Sequence, residues 1–332
     1  MQSTDTIERN SWLLAASALA LILYLRLLIA FLAGLLVFEL VRAIAPALQR
    51  HFPRQRSRIV ALAMLASLIM GAIAAAVLGV VEFGEGSGLS MLLQKMAEIL
   101  ENARTALPLW LLQYLPGSID DVRAASSQWL REHASQVQVA GAETGRAVAH
   151  LLIGMVVGGI VSLRQTAEVA NQKPLAAALE RRAERITNAF RSVVFAQVRI
   201  SLLNTAFTAI YVLVALPLVN VDLPLAKTLV VVTFVAGLLP VVGNLISNTI
   251  IVVVSLSSSI YVAAVSLAFL IVIHKLEYLL NARIVGVRIQ AQPWELLIAM
   301  LAMESAFGIP GLVAAPIYYA YLKAELADRS LV

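Results

Sequence analysis

The chain has 332 residues, 60% of them hydrophobic and 14% charged, with a formal charge of +5 and no cysteine. Soluble domains average about 45–50% apolar and about 25% charged residues, so this composition excludes a soluble globular protein. The missing cysteine excludes a disulfide framework, a thiol nucleophile and a Cys-based metal site. The basic residues fall between apolar segments rather than along one face, which makes them topology signals and argues against a nucleic-acid partner.

Residues 1–10 set Asp5 and Glu8 against Arg9, a poor start for a cleavable leader, and the apolar run behind them outlasts a leader's core; a retained anchor is expected. The stretch 11–45 is too long for one crossing of a hydrocarbon layer about 30 Å thick and is divided near Arg26 into two helices. A connector with Arg50, Arg54, Arg56 and Arg58 follows and is placed on the cytoplasmic side. Residues 59–81 then form an uncharged span. Between 82 and 146 five basic residues face eight acids, which predicts a non-cytoplasmic excursion. Leu92, Met96, Ile99 and Ala103 recur there at helical spacing, and Ser118 with Asp121 opens a second amphipathic helix through Trp129.

The chain returns through 147–163, where Gly154 and Gly158 have the spacing that lets helices approach closely. Stretch 164–199 holds seven basic residues against three acids and reads as a cytoplasmic amphipathic helix along the bilayer surface, its charges a solvated face in preference to a lipid-specific site. Residues 201–221 span outward. After Lys227 come 46 residues without acid, Lys or Arg, broken at Pro240 and Gly243 in Gly237-Leu-Leu-Pro-Val-Val-Gly243. A second break, Phe307-Gly-Ile-Pro-Gly311, divides the last apolar region into arms 294–306 and 312–322. The fold class is therefore all-α and polytopic. Its regions are 1–81, the excursion 82–146, and a transport region 147–332 that contains the helix 164–199.

Undersized hydrophobic segments interrupted by Gly and Pro point to a transporter's binding site, because broken helices expose backbone groups that hold a solute or ion. The competing reading is two proline kinks packed against neighbouring helices. The candidate pathway residues are Pro240, Gly243, Asn244 and Asn248 at the first break, and Glu304, Gly308, Pro310 and Gly311 at the second. Gly243, Asn244, Ser247 and Asn248 share a helix face; their polar groups suit a polar solute or a cation, or simply join helices. A carboxylate at membrane depth costs on the order of 3 kcal/mol or more unless paired or protonated. Glu304 is therefore either a proton carrier or a structural acid paired with Lys275 or Arg283. Arg26 reads as a span boundary and Glu39 as a paired interior acid. The four histidines never form a His-Glu-x-x-His pair, and neither a nucleophile elbow nor a phosphate-binding loop is present.

Gln197, Gly237-Leu-Leu-Pro-Val-Val-Gly243, Leu280-Asn-Ala-Arg-Ile-Val-Gly286, Pro293 and Phe307-Gly-Ile-Pro-Gly-Leu-Val-Ala-Ala-Pro316 together resemble the autoinducer-2 exporter family of bacterial permeases, in order and spacing over 147–322. The N-terminal half is similar in layout. The resemblance implies a multi-pass inner-membrane transporter without ATPase or cofactor, exporting a small polar solute such as autoinducer-2. It also implies a homo-oligomer, with a pentamer the expected state. Other relatives resemble cation/proton antiporters, and a scaffold binding an envelope partner through 89–139 is the reading from a different class. Ala282 stands where the family usually has proline, Asn244 replaces a common proline, and Glu304 sits where small residues are usual. These departures bear on the substrate more than on the fold.

Overall fold

The computed structural model describes residues 4–84, 124, 128–129, 131–164, 173–239, 242–284 and 292–329. Among them there is no strand. The helices are α1 (Thr4–Tyr24), α2 (Leu28–Leu48), α3 (Arg54–Gly84), α4 (Ala134–Leu163), α5 (Pro174–Ile210), α6 (Ala226–Gly237), α7 (Val242–Leu256), α8 (Ile260–Ile284) and α9 (Pro293–Ala327). Helices over Leu28–Leu48, Ala134–Leu163 and Pro174–Leu218 are long and apolar enough to cross a bilayer. The chain is an all-α, multi-pass membrane protein. It divides into two compact units, one made of Met1–Ile73, Ala140–Val194 and Arg288–Val332, the other of Ala74–Val139 and Phe195–Val287.

In the first unit the break expected near Arg26 is present. Arg26 adopts φ 55°, its N–H bonds Leu23 O at 3.1 Å and the Leu27 N–H reaches back to Ile22 O at 2.9 Å. This is the Schellman end of a helix, with arginine in the left-handed position that glycine usually fills, at a cost of roughly 1–2 kcal/mol. α2 then buries Leu28, Ala33, Val37, Val41 and Ala45, a stripe at helical spacing; its lower part packs with Ala61 and Leu65 of α3 and Met155 of α4. The Gly154/Gly158 motif is used as its spacing predicts. A Cβ on Gly154 would lie 2.0 Å from the Ala30 carbonyl oxygen, and one on Gly158 would lie 2.1 Å from that of Gly34. The backbones of α2 and α4 therefore touch, which only glycine permits.

α5 starts in the basic stretch and continues unbroken into apolar sequence, through a π-helical turn at Tyr211–Ala215 to Leu218. Its charges are not all a solvated face. Arg182 is 5% exposed and pairs with Glu325, itself 1% exposed; it also meets Glu8 at 2.7 Å and donates to Ser11 Oγ at 3.1 Å. Arg185 bonds Glu325 at 2.7 Å and also pairs with Asp328. Buried charges survive only when paired in this way, and the network joins the ends of α1, α5 and α9. Glu39, fully buried on α2, lies 3.6 Å from Arg42 and 3.7 Å from Arg191, so the paired interior acid is found.

In the second unit Tyr211, Val212, Leu216, Leu229, Ile251, Val254 and Leu270 form one core shared by the end of α5 with α6, α7 and α8. The long uncharged stretch has a break beyond the one expected at Pro240. Residues 257–259 turn the chain, and Ser259 Oγ accepts the Val262 N–H at 3.1 Å, capping α8. Of the excursion expected over 82–146, residues 134–146 already belong to α4, while the helices expected through 92–103 and from Ser118 lie essentially outside the described residues.

Candidate functional site

α9 is the clearest case of a broken helix. Residues 24 apart in a straight α-helix stand about 36 Å apart. Here Tyr319 Oη donates to Glu295 Oε2 at 2.6 Å, and Lys323 Nζ reaches the same oxygen at 3.1 Å. The chain must double back between them, and it does so at Gly308, whose φ of 65° and ψ of −151° belong to a region that is essentially glycine-only. Although Trp294–Ala327 is long and apolar enough to be one span, it is two arms folded on each other. Gly311 is buried beside the tip, where a Cβ would lie 2.0 Å from the Met303 carbonyl oxygen. The base of the hairpin starts on a capping box: the Gln292 N–H bonds Glu295 Oε2 at 2.8 Å, and Pro293 occupies the first turn.

The two arms differ. The second arm buries Ala314, Ala315, Ile317 and Tyr321, the last two in a core with Ile186 and Phe190 of α5. The first arm is mostly exposed, and so is Glu304, four residues before the tip. Among the described residues Glu304 has no hydrogen-bond or ion-pair partner, and the side chain of Arg283, one of the two cations weighed for it, lies outside the described ones.

The first break makes a second hairpin, α6–α7, in the other unit. Pro240 lies outside the described residues. Gly243 is buried against the opposing arm, where a Cβ would lie 1.8 Å from Ala236 O and 3.1 Å from Gly237 Cα. Both arms bury residues: Leu229, Thr233, Ala236 and Gly237 on α6, and Gly243, Ser247, Ile251 and Val254 on α7. Asn244 and Asn248 flank the buried face of α7 and are partly exposed, while Ser247 is buried and donates to Asn244 O at 3.3 Å.

What braces this hairpin is a line of polar side chains on α5, of which the reading of the sequence picks out Gln197 alone. Gln197, Ser201, Asn204, Thr208 and Tyr211 recur at intervals of four and three, one face of a helix. Gln197 Nε2 donates to Gly237 O at 2.7 Å and Ser201 Oγ to Phe234 O at 2.7 Å, so two carbonyls of the last turn of α6 are met by side chains, while Val235 O and Ala236 O accept the N–H groups of Leu238 and Leu239. Asn204 Nδ2 donates to Asn244 Oδ1 at 3.1 Å. Farther along, the Tyr211 hydroxyl meets Ser266 Oγ at 2.8 Å, which meets Ser255 Oγ at 2.8 Å. Thr208 lies between these rungs, 1% exposed, and its hydroxyl has no hydrogen-bond partner among the described residues. Such a group in an apolar surround is costly unless something else bonds it.

Chemically the arrangement offers neutral hydrogen-bonding groups at one break and a carboxylate near the other. Compared with known protein families, residues 12–328 match the family model described as AI-2E family transporter. No curated protein matches the chain.

Proposed function

The chain belongs to the AI-2E transporter family, and from that membership we propose that it is an inner-membrane secondary permease moving a small polar solute such as autoinducer-2. The observation that carries this reading is the pair of hairpins turned at Gly/Pro breaks within apolar sequence, since a bilayer tolerates such irregular backbone only where protein or a water-filled cavity surrounds it. In this reading Asn244 and Asn248 contact the solute, and Pro240 and Gly243 form the break that walls the pathway at one hairpin. Gly308, Pro310 and Gly311 shape the tip of the other, and Glu304 couples movement to protons. The sequence carries no phosphate-binding Gly-x-x-x-x-Gly-Lys-Ser/Thr loop, and in this reading an ion or solute gradient drives the movement. Assembly as a homo-oligomer, with five subunits expected, belongs to the same reading and is measured by native mass spectrometry.

A second reading is cation/proton exchange, favoured by an exposed carboxylate without a partner among the described residues. One experiment separates the two: reconstitute the protein in liposomes and follow autoinducer-2 flux under an imposed pH gradient, for the wild type and Glu304→Gln. Gradient-driven flux that the variant loses supports the coupled permease. Flux of equal size in the variant at every pH removes the coupling role. Absence of flux from a folded, reconstituted protein rejects autoinducer-2, and proton movement driven by a cation gradient then tests the exchanger.

A further inference from the structure

The positive-inside rule explains why basic residues gather at one end of a membrane protein; it does not explain why they should converge on a cavity. In the first unit a cavity of about 860 Å³ is lined by Arg42 of α2, Arg54 and Arg58 at the start of α3, Arg164 behind α4, and Arg191 of α5. No lysine lines it. Glu180 and Glu184 of α5 do, and the buried Glu39 lies behind Arg42 and Arg191, so five cations face three carboxylates. The ends of α2 and α4 and the starts of α3 and α5 meet there, two of each polarity. Their dipoles offset one another, and the field comes from the side chains.

Arg42 and Arg191 stand 3.6 and 3.7 Å from Glu39, and neither Glu39 oxygen receives a hydrogen bond. Both guanidinium groups are about half exposed. They neutralise the buried acid without spending their donors on it, and each guanidinium carries five N–H groups in a planar fork. Arg58 uses one donor, on the Arg164 carbonyl oxygen at 3.3 Å. Forks of this kind match the oxygens of a phosphate two at a time, which lysine does not. The volume lies within the range of about 300–1,000 Å³ typical of small-molecule sites.

We propose that this arginine-lined cavity binds a phosphate-bearing anion, either the headgroup of an anionic lipid or a soluble phosphate ester. The net excess of cations attracts the ligand and the forks hold it, while Glu180 and Glu184 weaken the field of the arginines and so moderate the affinity.

The test is a thermal-shift titration of the purified full-length protein in zwitterionic detergent at low, constant ionic strength. Inorganic phosphate, glycerol phosphate and short-chain phosphatidylglycerol are the probes, and chloride is the control. A ligand that binds only the folded state raises the melting temperature in a saturable way. Saturable stabilisation by at least one phosphate probe and none by chloride is expected, with the apparent Kd weakened about tenfold or more in R54Q/R58Q because charge-assisted bonds are lost. Stabilisation by all three probes assigns the soluble ester, and by the lipid alone the headgroup. Glu184→Gln is expected to tighten binding. Should the double variant not fold, R164Q, changed at an exposed side chain, takes its place. A shift no greater than that of chloride, or an affinity unchanged in these arginine variants, overturns the proposal.

Discussion

The two hairpins carry the same sequence mark, glycine and proline inside an apolar segment too short to cross twice, yet they are held by opposite means. In α6–α7 both arms are partly buried and the restraint is near the tip, where Gln197 and Ser201 bond the carbonyls of α6 and Asn204 bonds Asn244. In α9 the second arm carries most of the buried residues, the first burying Met300, and the restraint is at the base, where Tyr319 and Lys323 bond Glu295. A hairpin tied near its tip is a fixed wall; one tied at its base can swing. In the proposed permease the first hairpin would position the solute and the second would move.

The sharpest way to break the comparison is at the closest backbone approach. Gly243→Val must push Ala236 O away from a Cβ that would otherwise sit at 1.8 Å. Backbone cannot yield as a side chain does, so the loss should reach the upper end of the roughly 1–3 kcal/mol typical of overpacking, or exceed it. Thermal melting in detergent should show a large drop or no folded protein; a melting point near wild type would mean that the arms of α6–α7 are not in contact.

Gly308→Ala comes next. Nothing lies within 4 Å of the added Cβ, so the expected cost is the dihedral strain alone, roughly 1–3 kcal/mol. This variant should fold but lose flux, whereas Gly243→Val should lose the fold. Glu295→Gln removes the charge that holds Tyr319 and Lys323. Hydrogen exchange should quicken over 296–307 with 229–237 unchanged, and equal protection of both stretches in the wild type would remove the distinction between a fixed and a mobile hairpin.

Asn204→Leu is a milder test. Interhelical hydrogen bonds in membranes contribute about 0.6 kcal/mol on average and about 1.7 at most, so a small loss of stability is expected. Because Asn204 bonds Asn244 directly, the same variant should reduce solute affinity through Asn244. A flux identical to wild type across solute concentrations would take Asn244 out of the pathway.

Much of this was legible in the chain, and what was not has a physical reason. The Arg26 break, the glycines of α4 and the two Gly/Pro breaks are local signals: an interrupted apolar run or a fixed spacing. The pairing of Glu295 with Tyr319 and Lys323 is not local, since it exists only after the chain has folded back at Gly308. The polar ladder on α5 was readable, because its residues recur at four and three. It was missed because the basic stretch and the apolar stretch were treated as separate elements, and the ladder spans their junction. Arg182 was misread for a related reason, since a charge run shows sign but not which member will meet Glu325. The turn at residues 257–259 lay in plain view as a run of serines, a breaker signal hidden by counting charges alone.

Thr208 gives the smallest expected effect on stability and the finest test. Its hydroxyl is buried between two bonded rungs of the ladder without a partner of its own among the described residues. Valine has nearly its shape and lacks the hydroxyl, so Thr208→Val should leave stability unchanged or raise it by up to about 1 kcal/mol, the unsatisfied group being removed at almost constant volume. If the hydroxyl serves a passing solute, flux should fall while the melting point holds or rises, the reverse of what a packing residue would do. A lower melting point with normal flux would mean that the hydroxyl is already satisfied inside the protein. The ladder would then be a brace at every rung, and the first hairpin a support rather than a contact for the solute.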